Sequence, residues 1–270
     1  MVEVARSLLF VPGNRPERFD KASASGAHEV ILDLEDAVAP AEKTTARDAV
    51  AAWLDGRRRA LVRINAAQTE WFEDDIRLIQ SMPSVGVMLP KADNESLTRT
   101  IAALPGCRII ALLETVQGYI DLRSMAALPG LERIAFGSVD FAAESGISDE
   151  GDAMTPVRIQ IVLESCHAGL AAPADGVSVN FTDQDRMRQD ARISRQLGFG
   201  GKLCIHPAQV GAVNAAFLPS ADEIQWAERV VAAFTASAGG ATSVDGKMID
   251  KPVVDRARRM IAEFTGASLA

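Results

Sequence analysis

The sequence has few cysteines and no long apolar run. Its 270 residues include three cysteines, Cys107, Cys166 and Cys204, which lie far apart and form no CxxC pair. This spacing fits neither a zinc site nor a disulfide framework, so we expect a reducing environment. No apolar run approaches the roughly 20 residues that cross a membrane, and the N-terminal run 8–11 is too short for a signal peptide. These absences predict a soluble, unprocessed cytoplasmic protein.

Positive charge is also scarce. The chain has 28 Lys and Arg against 36 Asp and Glu, a formal net charge of −8. Nucleic acids and anionic membranes bind clustered positive potential, so neither partner is expected. One local exception is the segment 14–18 with Lys21, where Arg15 and Arg18 open a predicted helix and favour a bound phosphate. An ordinary solvated helix face fits the same charges.

Short runs rich in Val, Ile and Leu recur between amphipathic stretches. They show no polar and apolar alternation, which is typical of parallel strands that helices cover on both faces. Strand and helix alternate throughout, and about eight repeats favour closure into a (β/α)₈ (TIM) barrel over an open sheet. The predicted strands are 7–11, 30–34, 60–64, 85–89, 109–113, 134–137, 176–179 and 202–205. The predicted helices are 16–25, 42–54, 71–81, 94–103, 118–127, 156–168, 183–197 and 208–217.

The barrel domain is predicted over residues 1–220, and a C-terminal segment over 221–270. This segment contains a predicted helix at 221–236, a small-residue stretch at 237–243 that favours a flexible link, and a last helix at 252–264 with Pro252 in its first turn. A closed barrel has no strand left for this segment to cover. We therefore expect it to act as a lid or an oligomer contact.

Polar residues follow almost every predicted strand, at the end of a barrel where active sites are built. Glu114 and Asp140 follow the adjacent fifth and sixth strands. Two carboxylate oxygens, with water and substrate oxygens, suit an octahedral Mg²⁺. Either residue would alternatively cap the helix that follows it. Glu35 and Asp36, which follow the second strand, favour a supporting role in which they orient metal-bound waters.

Arg63 lies within an apolar strand, where a cation without a partner is costly. Its planar fork suits a substrate carboxylate bound through two parallel hydrogen bonds. The alternative is a structural ion pair with Asp33 or Glu35, because buried arginines are commonly paired.

Other residues at the same end of the barrel are expected to contact the substrate. Ser138 and Val139 end the sixth strand, and Lys91 follows the fourth. Acidic neighbours should keep the Lys91 amine protonated, which disfavours a Schiff base. His206 ends the eighth strand and is followed by Pro207, and we expect a hydrogen-bonded structural histidine there instead of a catalytic base.

Seven segments in order carry a resemblance to a known family. They are RSLLFVPG at 6–13, ILDLEDAV at 31–38, VRIN at 62–65, LET at 113–115, FGSVDF at 136–141, GK and IHPAQ at 201–202 and 205–209, and MID at 248–250. On these segments the chain resembles the citrate lyase beta-subunit-like family, within the HpcH/HpaI aldolase/citrate lyase group. The chain differs from the family at Glu144, where an Asp is frequent, and lacks an Arg that is frequent near Cys166 and His167.

The resemblance implies a Mg²⁺-dependent carbon–carbon lyase that cleaves or forms a short hydroxyacyl-CoA such as citryl-, malyl- or citramalyl-CoA. It implies Glu114 and Asp140 as Mg²⁺ ligands and Arg63 as the anchor of the substrate carboxylate. It also implies Asp250 as a catalytic acid or base from a neighbouring subunit, in a homotrimer or a multiple of one. Alternatives are a metal-dependent pyruvate aldolase acting on free hydroxy-keto acids, and a non-catalytic ligand-binding accessory subunit, since fold alone does not give function.

Overall fold

A computed structural model describes residues 4–55, 58–82, 84–237 and 240–267 of the chain. The chain divides into two compact units, Val4–Asn214 and a second one that begins at Ala215. No helix in the described ranges is both long and apolar enough to span a membrane.

The first unit is a closed barrel of eight parallel strands in sequence order, which confirms the predicted (β/α)₈ fold. Closure is made by the first and last strands, where Ser7 pairs with Lys202 and Leu8 with Leu203. The strands are β1 (Ser7–Pro12), β2 (Glu29–Asp33), β3 (Leu61–Arg63), β4 (Gly86–Leu89), β5 (Ile109–Leu113), β6 (Leu131–Phe136), β7 (Ala171–Asp175) and β8 (Gly201–Cys204).

Every strand contributes at least one buried side chain to a single apolar cluster, as expected for a filled barrel interior. The near-continuous apolar runs in the sequence follow from this arrangement, because the outer face of each strand is covered as well. The cluster comprises Leu8, Ile31, Leu61, Met88, Ile110, Leu112, Ala135, Ala174 and Leu203.

Helices connect the strands and continue beyond β8. They are α1 (Phe19–Ser23), α2 (Lys43–Leu54), α3 (Phe72–Gln80), α4 (Asn94–Ala103), α5 (Val116–Ala126), α6 (Ser138–Ser145), α7 (Thr155–His167), α8 (Gln184–Leu197) and α9 (Pro207–Ala216). Short 3₁₀ helices at Pro16–Arg18 and Pro40–Glu42 precede α1 and α2. Helix α6 was not predicted, because its eight residues follow β6 with only Gly137 between them and read as the end of that strand.

The predicted position of the seventh strand, 176–179, is wrong. The strand is Ala171–Asp175, whose sequence AAPAD has no β-branched residue and contains a proline, both unfavourable for a strand. Pairing decides the position, since Ala174 pairs with Ala135 of β6 and with Gly201 of β8. The polar residue that ends this strand is therefore Asp175.

The second unit contains α10 (Ala221–Ala236), β9 (Thr242–Val244), β10 (Lys247–Ile249) and α11 (Lys251–Ala267). The predicted flexible link 237–243 is wrong at its C-terminal end, where Thr242 begins an antiparallel hairpin; its residues 238 and 239 lie outside the described ranges. Asp245 and Gly246 both have positive φ, the conformation of a two-residue hairpin turn, and the Asp-Gly pair was the overlooked signal. The buried cluster of this unit comprises Ala227, Val230, Ile249, Val254, Ala257 and Met260.

Arg133 closes the barrel at the N-terminal ends of its strands. Its side chain donates to the carbonyl oxygens of Ala172 (2.6 Å), Ala5 (2.8 Å) and Pro173 (3.3 Å), and only 2% of the residue is exposed. The absence of a side chain at Gly201 makes room, because a Cβ there would lie 2.9 Å from Nη2 of Arg133. One buried cation thus satisfies three carbonyl oxygens from two separate segments.

We predict that Arg133→Met lowers the free energy of unfolding by about 3 kcal/mol, because the carbonyl oxygens of Ala172 and Ala5 lose a charged donor and that of Pro173 keeps only the N–H of Gly200. Urea denaturation followed by tryptophan fluorescence measures the loss. Arg188→Met, at a half-exposed position on α8, is the control and should change stability by less than about 0.5 kcal/mol. Equal midpoints for the two variants would contradict this account of Arg133.

Candidate active site

A cavity of about 440 Å³ opens at the C-terminal ends of the barrel strands. Six of the residues expected at the site line it, together with Asp33 and apolar side chains near the ends of β1, β5 and β8. These six are Asp36, Arg63, Glu114, Ser138, Val139 and Asp140. Glu35 and Lys91 contact this group by ion pairs, whereas Arg15 is exposed elsewhere and Asp250 belongs to the second unit.

Arg63, the last residue of β3, is held by Asp33, the last residue of β2. The Nε and Nη2 atoms donate to the two carboxylate oxygens of Asp33 at 2.7 and 2.6 Å, and Nη1 lies 3.1 Å from Glu35. Burial disfavours the charged form, but the hydrogen bonds to Asp33 and the charges of Asp33, Glu35 and Glu114 together outweigh it and raise the pKa of Arg63. The structural ion pair considered for Arg63 is therefore present. Of the five N–H donors of a guanidinium, the hydrogen bonds to Asp33 use two, whereas the contact with Glu35 is an ion pair without a hydrogen bond.

Glu35 lies between the two cations of the site. Its Oε2 faces Nη1 of Arg63, and its Oε1 accepts a short hydrogen bond from Nζ of Lys91. Burial raises the pKa of Glu35, although both cations act in the opposite direction. Lys91 also lies 3.5 Å from Asp36. Partial burial disfavours its charge, but the contacts with Glu35 and Asp36 raise the pKa of Lys91, which keeps the amine protonated.

Lys43 fixes the backbone of the same loop and was missed in the sequence. Its buried ammonium group donates to the carbonyl oxygens of Leu34 and Glu35, both at 2.7 Å, and lies over the ring of Trp71. Burial lowers the pKa of Lys43. The available signal was its place on α2, where it shares the buried face with Ala46, three residues later. A cation on an apolar helix face indicates that its neighbours include several acceptors.

Glu114 is 1% exposed, and only one of its oxygens is satisfied. Oε1 accepts from the backbone N–H of Lys91 at 2.7 Å, whereas Oε2 has no hydrogen-bond partner among the described residues. Burial, then the charge of Glu35 and to a smaller extent that of Asp140, raise its pKa to about 8. Gly137 permits this arrangement, because a Cβ there would lie 2.8 Å from Oε2 and 2.5 Å from the Cβ of Glu114.

Neither carboxylate acts as a helix cap. Thr115 caps α5 by accepting the N–H of Gly118, and Gly137 is the N-cap of α6, which places Asp140 inside the first turn. Asp140 is exposed to the cavity. At the other end of α6, Glu144 accepts the N–H of Val116 at 3.2 Å, which links α6 to the start of α5.

The donor set fits a hard divalent cation. Within the described ranges, no group of three or more His, Cys, Asp or Glu side chains is arranged to hold a metal. A pair of carboxylates such as Glu114 and Asp140 would suit Mg²⁺, an ion that usually keeps several waters and binds substrate oxygens. The unpartnered buried oxygen of Glu114 is a suitable ligand atom, because a bound cation would stabilise its charged form.

A second cavity of about 330 Å³ adjoins the first. Phe10, Pro12 and Ile205 line both, and the second one also contains Arg18 and Lys21. Most residues that line this second cavity are apolar, and Arg18 and Lys21 are its two cations. An acidic cavity with one arginine thus shares three lining residues with a mainly apolar cavity that carries positive charge.

His206 lines the second cavity and has two structural contacts. Its Nδ1 accepts the N–H of Ala208 at 3.2 Å, and its ring stacks on Phe181 with centroids 4.7 Å apart. Gln209 fixes the backbone beside it by accepting the N–H groups of Ile205 and His206. These contacts describe the hydrogen-bonded structural histidine expected from the sequence.

Asp250 directly precedes α11 in the second unit. Its Oδ1 accepts the N–H of Val253 at 3.4 Å, a long hydrogen bond that is typical of a helix cap. The side chain is partly buried. The structure therefore shows the capping contact, while an acid or base role stays a prediction.

Known proteins resemble the chain over almost its whole length. A (3S)-malyl-CoA thioesterase of Cereibacter sphaeroides is 33% identical over 267 residues, which cover 96% of this chain and 94% of that protein. A citrate lyase subunit beta-like protein of Mycobacterium tuberculosis is 37% identical over 260 residues, with 94% and 93% covered.

Solved structures agree with this comparison. The protein CitE of Mycobacterium tuberculosis, in complex with magnesium, acetoacetate and coenzyme A, superposes with a TM-score of 0.87 and is 35% identical, covering 98% of this chain and 100% of that one. Another CitE structure contains magnesium and pyruvate, with a TM-score of 0.78, 31% identity, and 97% and 100% covered. The family model described as HpcH/HpaI aldolase/citrate lyase matches residues 6–207. The chain therefore belongs to the HpcH/HpaI aldolase/citrate lyase family.

Proposed function

We propose that this protein is a Mg²⁺-dependent carbon–carbon lyase that cleaves or forms a short hydroxyacyl-CoA, such as citryl-, malyl- or citramalyl-CoA. The observation that carries the proposal is the set of side chains that line the cavity at the C-terminal ends of the strands. A buried carboxylate with an unpartnered oxygen faces the same cavity as Asp140 and the fixed guanidinium of Arg63. Magnesium together with acetoacetate and coenzyme A in one similar CitE supports the choice of ion and substrate class.

In this proposal Glu114 and Asp140 hold Mg²⁺, which when bound supplies Lewis acidity to the oxygens of a keto or hydroxy acid. Arg63 binds the carboxylate of that acid with the N–H groups that Asp33 leaves available. Because Asp33 fixes one edge of the guanidinium, the free donors are oriented before substrate arrives. Lys91 balances Glu35 and Asp36, and Ser138 and Val139 form the cavity wall against the substrate.

The coenzyme A moiety extends, in the same proposal, from the first cavity into the second. The shared border at Phe10 and Ile205 gives an apolar passage, and Arg18 and Lys21 supply positive charge for phosphate groups. Arg15 lines neither cavity, but its exposed side chain precedes the 3₁₀ helix that contains Arg18, and we expect it to add to the positive charge on this side. A phosphate is attracted there although the protein as a whole is acidic.

Asp250 of a neighbouring subunit is the proposed acid and base, in a homotrimer or a multiple of one. In cleavage, the Asp250 carboxylate takes the proton of the substrate hydroxyl, the bond between the carbinol carbon and the carbon next to the thioester breaks, and the electron pair moves to that second carbon. Asp250 then gives this carbon a proton, which yields a keto acid and an acyl-CoA. In the reverse direction the carboxylate removes that proton.

Hydrolysis of the thioester is the second candidate activity, because a relative at 33% identity is named a (3S)-malyl-CoA thioesterase. The products distinguish the reactions. Incubation with malyl-, citramalyl- and citryl-CoA and Mg²⁺ should release a keto acid and keep the coenzyme A esterified if the enzyme is a lyase. Release of free thiol without keto acid indicates a thioesterase. Turnover of free hydroxy-keto acids but not thioesters indicates the aldolase, and binding without turnover indicates an accessory subunit.

The first prediction for the site concerns the ion. Glu114→Gln and Asp140→Asn should each weaken Mg²⁺ binding and lower kcat/KM by more than the roughly 100-fold that outer partners of a metal contribute, because a hard cation needs anionic oxygens. Titration calorimetry with Mg²⁺ and steady-state assays measure the two effects. Unchanged Mg²⁺ affinity in both variants would contradict the assignment.

Thermal melting of the same Glu114→Gln protein without metal is the control for its folding. Because the pKa of Glu114 is raised to about 8 in the fold, ionisation destabilises the metal-free wild type increasingly as pH rises from the ordinary value of 4.5 to about 8. At pH 9 the variant should therefore melt at the same or a higher temperature than wild type. This advantage should shrink at pH 5, where Glu114 is protonated.

A second prediction concerns Arg63→Lys. We expect kcat/KM to fall by roughly 10-fold to 100-fold, mainly through KM, because an ammonium group cannot keep two hydrogen bonds to Asp33 and still present an oriented donor to substrate. Calorimetric titration with a keto acid at saturating Mg²⁺ measures the binding step. Near-normal kcat/KM in this variant would leave Arg63 as a purely structural ion pair.

A third prediction concerns Asp250→Asn, which should abolish turnover and leave Mg²⁺ and keto-acid binding almost unchanged. Asparagine is an adequate helix cap, so α11 should stay folded and stability should change little. Circular dichroism and ligand titration check these points. Wild-type activity in the variant would mean that capping is the whole role of Asp250.

Mixing this variant with Arg63→Ala protein tests whether two subunits share a site. After verified subunit exchange, some mixed oligomers would contain a site with neither substitution, and part of the activity should return. No recovery after exchange would refute a shared site.

A further inference from the structure

The segment that carries Asp140 is attached to the barrel through Ser138. The hydroxyl of Ser138, which is 1% exposed, donates to Oδ2 of Asp149 at 2.9 Å. Gly176 packs against the same side chain so closely that a Cβ there would overlap Oγ of Ser138. The hydroxyl is therefore used inside the protein, two residues before Asp140.

Asp149 connects Ser138 to helix α7 through hydrogen bonds. Its Oδ1 accepts from Nη2 of Arg158 at 3.2 Å, and Nε of Arg158 donates to Asp175 at 2.9 Å. The guanidinium also lies over the ring of Phe136, the last residue of β6, at 5.5 Å from its centroid. Arg158 thus bridges the loop between α6 and α7 to the mouth ends of two strands.

Asp175 is the fixed end of this chain of contacts. It is 2% exposed, and it accepts from the hydroxyl of Ser194 at 2.5 Å and from the N–H of Gly176 at 2.9 Å. Lys202 of β8 lies 3.7 Å from the same carboxylate. Removing one partner of a buried ion pair leaves an uncompensated charge, which is costly. We therefore expect the contacts of Asp175 to persist together.

Asp140 itself has no comparable support. Its side chain is exposed and makes no hydrogen bond or ion pair that the described part of the chain reveals, and the N-cap of α6 is a glycine, which has no side chain with which to cap the helix. The direction of the Asp140 carboxylate is therefore set by the backbone of the first turn of α6. Two side-chain contacts hold this turn: the hydrogen bond between Ser138 and Asp149, and the edge-on packing of the buried Phe141 ring against Phe136 and Tyr119.

We infer that Asp149 and Arg158 are positioning residues that hold Ser138, and through it Asp140, in the orientation in which Asp140 and Glu114 serve one cation. The inference rests on the proposed function, in which this pair binds Mg²⁺. It assigns Asp149 and Arg158 no contact with substrate. Outer partners of this kind typically contribute 10-fold to 100-fold in metal affinity.

Mg²⁺ titration calorimetry on the full chain tests the inference, with the urea midpoint measured for each protein. Asp149→Ala should bind Mg²⁺ roughly 10-fold to 100-fold more weakly than wild type. Asp149→Asn, which retains one acceptor oxygen for Ser138, should recover part of the loss, and Ser138→Ala should weaken binding in the same direction.

Glu164→Gln is the matched control. Glu164 lies on α7 like Arg158 and is buried and paired with Arg123 at 2.7 Å, and within the described ranges no hydrogen bond or ion pair is found that joins this pair to α6 or Asp149. The control should lower the urea midpoint and leave Mg²⁺ affinity within about twofold, the scale of an ordinary remote substitution. Equal Mg²⁺ affinity in wild type, Asp149→Ala and the control overturns the inference and leaves the metal site intact. A wild-type protein that does not bind Mg²⁺ overturns the inference and the proposed function together.

Discussion

One buried guanidinium, that of Arg63, holds the mouth of the barrel in shape. Arg63 and Asp33 are directly paired residues at the ends of adjacent strands. Their ion pair therefore links β2 and β3 through side chains as well as through the backbone. The backbone supports it, because the carbonyl oxygen of Arg63 accepts from Leu34 and that of Asp33 accepts from Gly13. A side chain at position 13 would meet that second oxygen at 2.7 Å, which explains the glycine after β1. The loops that carry Glu35 and the first-strand residues therefore start from fixed points.

The side chains around Arg63 carry more negative than positive charge. This excess affects both the stability of the fold and the protonation of the site. Acidic groups outnumber the two cations Arg63 and Lys91 at the mouth, and burial increases the repulsion among them. Glu114 takes most of the effect, since it is buried beside Glu35 and its pKa is raised to about 8. A fold selected for stability alone would not place a carboxylate with an unpartnered oxygen there. Carboxylates with strongly shifted pKa values are common at active sites, where a bound ligand or ion balances their charge.

Charge is also divided between the two adjoining cavities. The first is bordered by carboxylates, whereas Arg18 and Lys21 contribute to the second. The two share apolar residues at their border, so an extended ligand with an acid at one end and phosphates further along meets the appropriate charge at each step. This local division would let a chain with a formal net charge of −8 bind the anionic thioester that we propose as its substrate. Net charge disfavours partners that bind over a wide surface, but it does not describe the charge inside a pocket.

The sequence predicted what depends on local pattern and missed what depends on distant partners. Seven of the strands are apolar runs long enough to recognise, and barrel geometry then places Glu114, Asp140 and Arg63 at one mouth. The strand AAPAD has no such pattern, and only its neighbours β6 and β8 make it a strand. The contacts of Asp149 with Ser138 and Arg158 join positions that no periodicity relates, because a loop returns to the barrel between α6 and α7. Pattern therefore finds the groups that face a ligand, while the residues that orient those groups become visible only when the chain is folded.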